Sequence, residues 1–263
     1  MFGADREDTR GQEQDIQLLC EEYARYNKIP PELYTRFNVK AGLRNADGTG
    51  VLAGLTQICN VHGYILNEGE KTPIDGELIY RGIDLRDLVK GCMTEKRFCF
   101  EETAWLLLLG HLPTGAQLNR FQEILSDNRE LPDNFTEDMI MKAASPNIMN
   151  MLARSVLALY PFDPEPESNR IDNVMRQCIE LIARMPVIMA AAYQVRRRVY
   201  DGRSMYLHNP NPEFSTAENI LRLLRSDKQF TEEEAQLLDL CLTLHTEHGG
   251  GNNSTFTVRS LTS

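Results

Sequence analysis

The stretch from about 168 to 200 constrains this chain more than any other. Its middle, "CIELIARMPVIMAAAYQV" (178–195), is apolar on most faces of a helix. A helix of that kind is normally buried all round, so other helices must surround it. At 263 residues the chain is long enough to supply them. Pro186 stands inside the stretch and is expected to kink it. Arg196, Arg197 and Arg198 follow, where the negative end of the helix dipole favours cations.

The rest of the chain provides shorter helices with clear ends. "QEQDIQLLCEEYARYN" (12–27) puts Ile16, Leu19, Cys20 and Tyr23 on one helical face, and "IPPELY" opens a short helix with proline in its first turn. "DLRDLVKGC" starts at a cap, Asp84. "CFEETAWLLLLGHLPT" stops at glycine and then proline. The next run repeats apolar residues at 118, 121, 124 and 125. "TEDMIMKAAS" begins with a cap and an acidic turn, and "PNIMNMLARSVLALY" ends before a linker with three prolines, "PFDPEPES". "STAENILRLLRS" and "TEEEAQLLDLCLTLHTEH" both carry a capping-box pattern.

Residues 51–81 differ. "VLAGLTQICNVHGYIL" and "ELIYRG" are β-branched and aromatic, interrupted by "NEGEKTPIDG". They predict a small antiparallel sheet with a hairpin, too small to stand alone and so packed on the helices. No repeat at a fixed period argues for a solenoid. The fold class is therefore mainly α and multi-helical, with an N-terminal helical arm at 1–50, a small β element at 51–81 and a helical domain at 82–263.

Charge narrows the function classes. Thirty-eight acidic against 28 basic residues give a net charge of −10, the wrong sign for a protein that must displace counterions from nucleic-acid phosphates. The six cysteines are scattered without a C-x-x-C pair, which fits reduced thiols, and Cys241 in "LLDLCLTL" reads as buried. The charged N-terminus is not a signal or transit peptide, and no run approaches a membrane span. The expectation is a soluble, cytoplasmic protein with neither nucleic acid nor membrane as partner.

The segment "LTLHTEHGGGNNSTF" (242–256) carries the chemistry. His245 and His248 are three apart and so share a helix face, but their spacing and order are not those of the H-E-x-x-H zinc site, and no further ligands cluster nearby. Gly249, Gly250 and Gly251 allow close backbone approach of a small anion. A plain C-cap needs only one glycine. Cap and ligand site stay equally open on the residues alone.

At this point the chain resembles the citrate synthase family. The segment Glu247-His248-Gly249-Gly250-Gly251-Asn252-Asn253-Ser254-Thr255 is similar to the E-H-G-G-G-N-N-S-T variant that ends a long helix in that family. "ELIYRGIDLRDLV", "FEETAWLLLLGHLPT" and "STAENILRLL" resemble further family segments, in the family's order, across about 77–255. The resemblance implies an enzyme that condenses oxaloacetate with acetyl-CoA to give citrate and CoA, with acetyl-CoA as substrate and no bound cofactor or metal. It implies that His248 binds and polarises the keto acid, that Asn252 lines the same pocket and that Ser254 supports it. Glycine replaces the glutamate of the D-H-E form at position 249. 2-Methylcitrate synthase shares these motifs and is the alternative, as is a non-catalytic helical assembly module on the same scaffold. A homodimer or higher oligomer follows from the family, joined through the apolar helix around 177–195.

The family's further catalytic segments, a G-P-x-H-G-G-A-N-like one, a G-x-G-H-x-x-Y-like one and an aspartate base, do not occur within these 263 residues. The chain is thus expected to be the N-terminal part of the large domain, cut before the small domain, with no catalytic acid or base of its own and no activity alone. His62, His111 and His208 lie away from the His248 segment; His111 reads as a structural residue and His62 as a surface or packing one.

Overall fold

The computed structural model describes residues 30–36, 44–45, 57–67, 70–247 and 257. The chain divides into two compact units, Met1–Leu55 with Gly251–Ser263, and Thr56–Gly250. In the first unit the described structure is mainly one short helix, α1 (Pro31–Arg36), with Pro31 at its first position, where a missing N–H costs nothing. The helix expected at 12–27 lies outside the described residues, as do 51–56 of the β element.

The second unit is mainly α with one three-stranded antiparallel sheet in the order β1-β2-β3. β1 (Cys59–Asn67) and β2 (Glu70–Tyr80) form the hairpin, and β3 (Ile83–Asp84) adds to the base of β2. The ladder runs from Cys59↔Tyr80 to Asn67↔Glu70, so most of "NEGEKTPIDG" is strand rather than interruption. The register jumps between His62↔Glu77 and Tyr64↔Pro73, placing Ile74–Gly76 opposite the single Gly63. Pro73 borders that bulge, where a proline does least harm to a ladder. The expected packing of this element on the helices holds only at its base. Cys59 and Tyr80 are buried, whereas Val61, Tyr64, Ile65 and Leu66 are exposed.

Seven further α-helices follow. α2 (Leu85–Glu95) starts at Asp84, whose carboxylate accepts from Arg86 N at 2.7 Å. α3 (Phe100–Leu109) ends at Gly110 with φ 88°, and α4 (Gly115–Asp127) opens with a capping box between Thr114 and Gln117. "TEDMIM" (Thr136–Met141) is a π-helical turn, closed by Lys142 N to Glu137 O at 3.2 Å. Thr136 does not cap it: the residue before the turn is Phe135, with helical φ and ψ and no side-chain hydrogen bond. α5 (Ile148–Ala158) is capped by Asn147. α6 (Ile171–Tyr200) runs through Pro186 for 30 residues, α7 (Thr216–Leu224) and α8 (Glu232–Leu244) close the unit, and both carry the expected capping boxes, Ser215/Glu218 and Thr231/Glu234.

α6 departs from expectation in two ways. It is long and apolar enough to cross a membrane by length and composition, although the sequence suggested that no run approaches a span. Its contacts with α4, α5 and α7 are those of a core helix. It is also not buried all round. Ala183, Ile188, Ala190, Ala191, Ala192, Gln194 and Val195 are buried, while Tyr193 and Ile171 are exposed and most of 175–187 is half-buried.

Three apolar clusters hold the helices. One joins the sheet base to α2 and α3 through Tyr80, Leu88, Cys92, Cys99 and Leu106. A second packs Phe135, Ile140 and Met151 on Ile188, Ala192 and Val195 of α6. The third joins Ala104 of α3 to Phe121 and Leu125 of α4 and Ala183 of α6. α3 and α6 each enter two clusters, which makes them the central helices.

Candidate functional site

The segment singled out by sequence follows α8, and the end of α8 is the part that the structure shows. α8 begins with three glutamates in its first turn, a favourable charge at a helix N-terminus. Arg225, just past α7, grips Glu234 with both terminal nitrogens at 2.7 and 2.6 Å, holding that carboxyl down at about 2. Further along the same helix, Asp239 is 3% exposed and points into the N-terminus of α3. Its oxygens accept from Cys99 N at 2.6 Å and Phe100 N at 3.1 Å. Burial pushes its carboxyl up to about 6, against those two N–H groups and with Glu101 and Glu218 adding to the rise.

The last turn is fastened by Tyr80. This fully buried residue places its hydroxyl 2.8 Å from Glu247 O and 3.2 Å from Thr243 O, and accepts from Glu247 N at 3.3 Å. Burial raises its phenol above the usual range, so it stays a neutral donor. One side chain from the sheet base thus fixes the backbone immediately before His248. α8 itself stops at Leu244, earlier than expected. His245 N bonds to Leu242 O, and Thr246 Oγ1 bonds to Leu242 O at 2.9 Å. The helix thus ends before His245, and His248 lies outside the described residues. His245 is exposed, with Nδ1 2.7 Å from Cys241 O, and Cys241 is exposed rather than buried because it lies on the outer face of α8. Among the described residues no group of three or more His, Cys, Asp or Glu could hold a metal ion.

The other quoted segments turn out to be fasteners of the same kind. Arg81, at φ 49°, donates from Nε and Nη2 to Leu107 O at 3.2 and 2.7 Å and so satisfies the C-terminal end of α3. Gly82, at φ 85°, completes the turn into β3. Glu101 is fully buried, and its Oε1 accepts from Thr216 N at 2.7 Å at the start of α7. Glu102 pairs with Arg97. Asn219 holds the loop before α7, accepting from Asn211 N at 2.7 Å and donating to Asn211 O, Phe214 O and Ser215 O.

His248, Asn252 and Ser254, the predicted substrate-binding residues, lie outside the described residues. The remaining histidines occupy structural or surface positions. His111 meets Trp105 edge-on at 5.9 Å and bonds to Leu112 O, His208 bonds to Arg225 O at 3.1 Å, and His62 is exposed near Glu77. Sequence reasoning missed Tyr80 and Asp239. The signals were present, as a tyrosine ending a strand before Arg-Gly and a lone acid within an apolar helix.

Residues 43–263 match the family model described as "Citrate synthase, C-terminal domain". A citrate synthase of Acidithiobacillus ferridurans is 33% identical over 214 residues, which is 80% of this chain and 49% of that protein. A 2-methylcitrate synthase of Corynebacterium glutamicum is 28% identical over 218 residues, 81% of this chain and 51% of that protein. In fold, the chain is similar to the citrate synthase of Thermoplasma acidophilum solved as a ternary complex with carboxymethyl coenzyme A and oxaloacetate, with a TM-score of 0.60 and 22% identity over 74% of this chain and 45% of that one. The chain spans about half the length of the relatives it matches. With its helical scaffold, its fastened α8 and this match across most of its length, the chain belongs to the citrate synthase family.

Proposed function

We propose that this chain carries the oxaloacetate-gripping part of an acyl-CoA condensing enzyme that joins acetyl-CoA to oxaloacetate, releasing citrate and CoA. The single observation that carries the reading is the Glu247–Thr255 segment directly after a helix end that Tyr80 holds by two backbone groups of Glu247. His248 binds the keto oxygen or a carboxylate of oxaloacetate and draws charge from the carbonyl, which opens it to attack. Asn252 donates to the same substrate and Ser254 supports it. The ternary complex of the Thermoplasma acidophilum relative supports this pair of substrates. The reaction needs no bound cofactor, because CoA arrives and leaves with the acyl group.

Forming the acetyl carbanion equivalent needs a base and a group that stabilises the enolate. The family segments that supply them are not among the 263 residues, so the chain alone is expected not to turn over. The same scaffold acts as a homodimer through the half-buried face of α6. The 2-methylcitrate synthase relative favours one second reading, propionyl-CoA in place of acetyl-CoA. One methylene is worth about 1–3 kcal/mol in such a pocket, or roughly 10- to 200-fold in kcat/KM.

The test is CoA release by the complete reading frame, with each acyl-CoA and with or without oxaloacetate. Oxaloacetate-dependent release is expected, and His248→Ala should lower kcat/KM by roughly 100-fold or more. Release that ignores oxaloacetate, or an unimpaired His248→Ala enzyme, would overturn the reading.

A further inference from the structure

The hydroxyl of Tyr80 holds both polar backbone groups of one residue. It donates to Glu247 O at 2.8 Å and accepts from Glu247 N at 3.3 Å, with Thr243 O as a longer acceptor at 3.2 Å. A phenol carries one proton and free lone pairs, so it donates and accepts at once. Phenylalanine can do neither. The peptide plane that contains Glu247 O also contains the nitrogen and Cα of His248, and consecutive Cα atoms stand about 3.8 Å apart. Fixing Glu247 O therefore restricts where His248 can begin.

Tyr80 can act as a fixed post because elements other than α8 set its position. Its backbone pairs with Cys59 and Ile83 at the sheet base. The next residue, Arg81, donates from its backbone N to Ile58 O at 2.9 Å and from its guanidinium to Leu107 O. The ring of Tyr80 is fully buried in the cluster with Leu85, Leu88, Cys92 and Leu106. α8 is tied down one turn before Thr243 by Asp239, which bonds to the start of α3. Asp239 and Thr243 are both buried and four residues apart, so the two fasteners act on one face of α8. His245 N and Thr246 Oγ1 then close the turn locally on Leu242 O.

We propose that Tyr80 is a positioning residue for His248, its hydroxyl holding the peptide between residues 247 and 248 in the orientation that oxaloacetate requires before oxaloacetate arrives. This role rests on the reading of His248 as the oxaloacetate ligand. Tyr80 touches no substrate in it and moves no proton. Gly249, Gly250 and Gly251 give the chain wide conformational freedom just beyond His248. A post immediately before them leaves less ordering for the substrate to impose.

The experiment uses the complete reading frame as wild type, Tyr80→Phe, His248→Ala and the double variant, each assayed for oxaloacetate-dependent CoA release from acetyl-CoA. Tyr80→Phe keeps the buried ring and loses one oxygen. It is expected to lower kcat/KM for oxaloacetate roughly tenfold, the scale of a lost hydrogen bond that sets geometry. The loss should lie in the KM for oxaloacetate, with the KM for acetyl-CoA unchanged. In the His248→Ala background the same change should cost less than about twofold, since the residue it positions is gone. Leu88→Ala opens a cavity in the same cluster but keeps the hydroxyl, so it controls for lost stability and should leave both KM values where they were. An unimpaired Tyr80→Phe enzyme, the same oxaloacetate loss in Leu88→Ala, or equal losses with and without His248 would overturn the proposal and leave the oxaloacetate reading standing. An unimpaired His248→Ala enzyme would overturn that reading, and the proposal with it. If Tyr80→Phe does not fold, hydrogen exchange of the wild type decides. The Glu247 amide should already be protected in the free enzyme; exchange as fast as in an open chain until oxaloacetate is added would overturn the proposal.

Discussion

α3 and β1, the first strand of the hairpin, have similar numbers of residues and opposite fates. α3 opens with two glutamates and yet buries Glu101, Glu102 and Thr103 together with Ala104, Leu106 and Leu107. β1 holds Val61, Tyr64, Ile65 and Leu66 and yet buries only Cys59. Side-chain polarity alone would have ranked them the other way. The difference is one of neighbours. α3 packs against both α4 and α8, and Glu101 meets the open start of α7 while Glu102 meets a cation. The hairpin has helices only at its base, so its apolar tip stays wet. Polar side chains in this unit therefore act as fasteners between helix ends, where a buried N–H or C=O without a partner would cost about 1–3 kcal/mol.

If that is right, the place where the two regions meet should be the most sensitive. Tyr80 belongs to the sheet but is fully buried and serves α8. Tyr80→Ala removes a large buried ring together with its bonds to Glu247 N and O. A loss of about 3–5 kcal/mol is expected, read from the urea midpoint at constant slope. A loss below 1 kcal/mol would mean that the sheet base carries no load and that the contrast with the tip is one of exposure alone.

The next effect depends on pH. Asp239 fastens α8 to α3 with a carboxyl that ionises near 3.8 when free and at about 6 when folded. The native state therefore holds the proton more tightly than the unfolded one. Its contribution to stability is complete below pH 3.8 and is lost as pH rises through 6. About two units correspond to roughly 3 kcal/mol at most. Subtracting the profile of Asp239→Asn from that of the wild type should leave a fall between about pH 4 and 6 and a flat line above 7. A flat difference throughout would show that the fastener is already neutral or fully hydrated.

Much of the fold was legible because its signals are local. The capping boxes at Ser215/Glu218 and Thr231/Glu234, the Asp84 cap and the Gly110 stop each depend on residues within a turn of each other. The errors arose where a distant group decides. Cys241 sits in an apolar run, but the face of α8 that turns inward is the one bearing Ala235, Asp239 and Thr243. The helix that should have reached His248 stops at Leu244, where the hydroxyl of Thr246 takes up the carbonyls of Leu242 and Thr243. Of the site, the motif residues could be picked out but not their work. Tyr80, Arg81, Glu101 and Asn219 read as family signatures, and only the folded chain shows that each bonds backbone belonging to another element.

The hairpin tip gives the smallest expected effect and the sharpest check on the comparison. Ile65 is 52% exposed, so replacing it with threonine removes little area that folding withdrew from water. Threonine also keeps the β-branch that suits a strand. Stability should change by no more than about 0.5 kcal/mol, as for an ordinary surface substitution. The same change in the base, where Tyr80 and Cys59 face the helices, would meet α2 and α3 and cost several times more. A loss above 1 kcal/mol at Ile65, particularly one that grows with protein concentration, would show that the tip is covered in solution. The exposed row of β1 would then be one side of a contact, and the wet half of the comparison would have to be withdrawn.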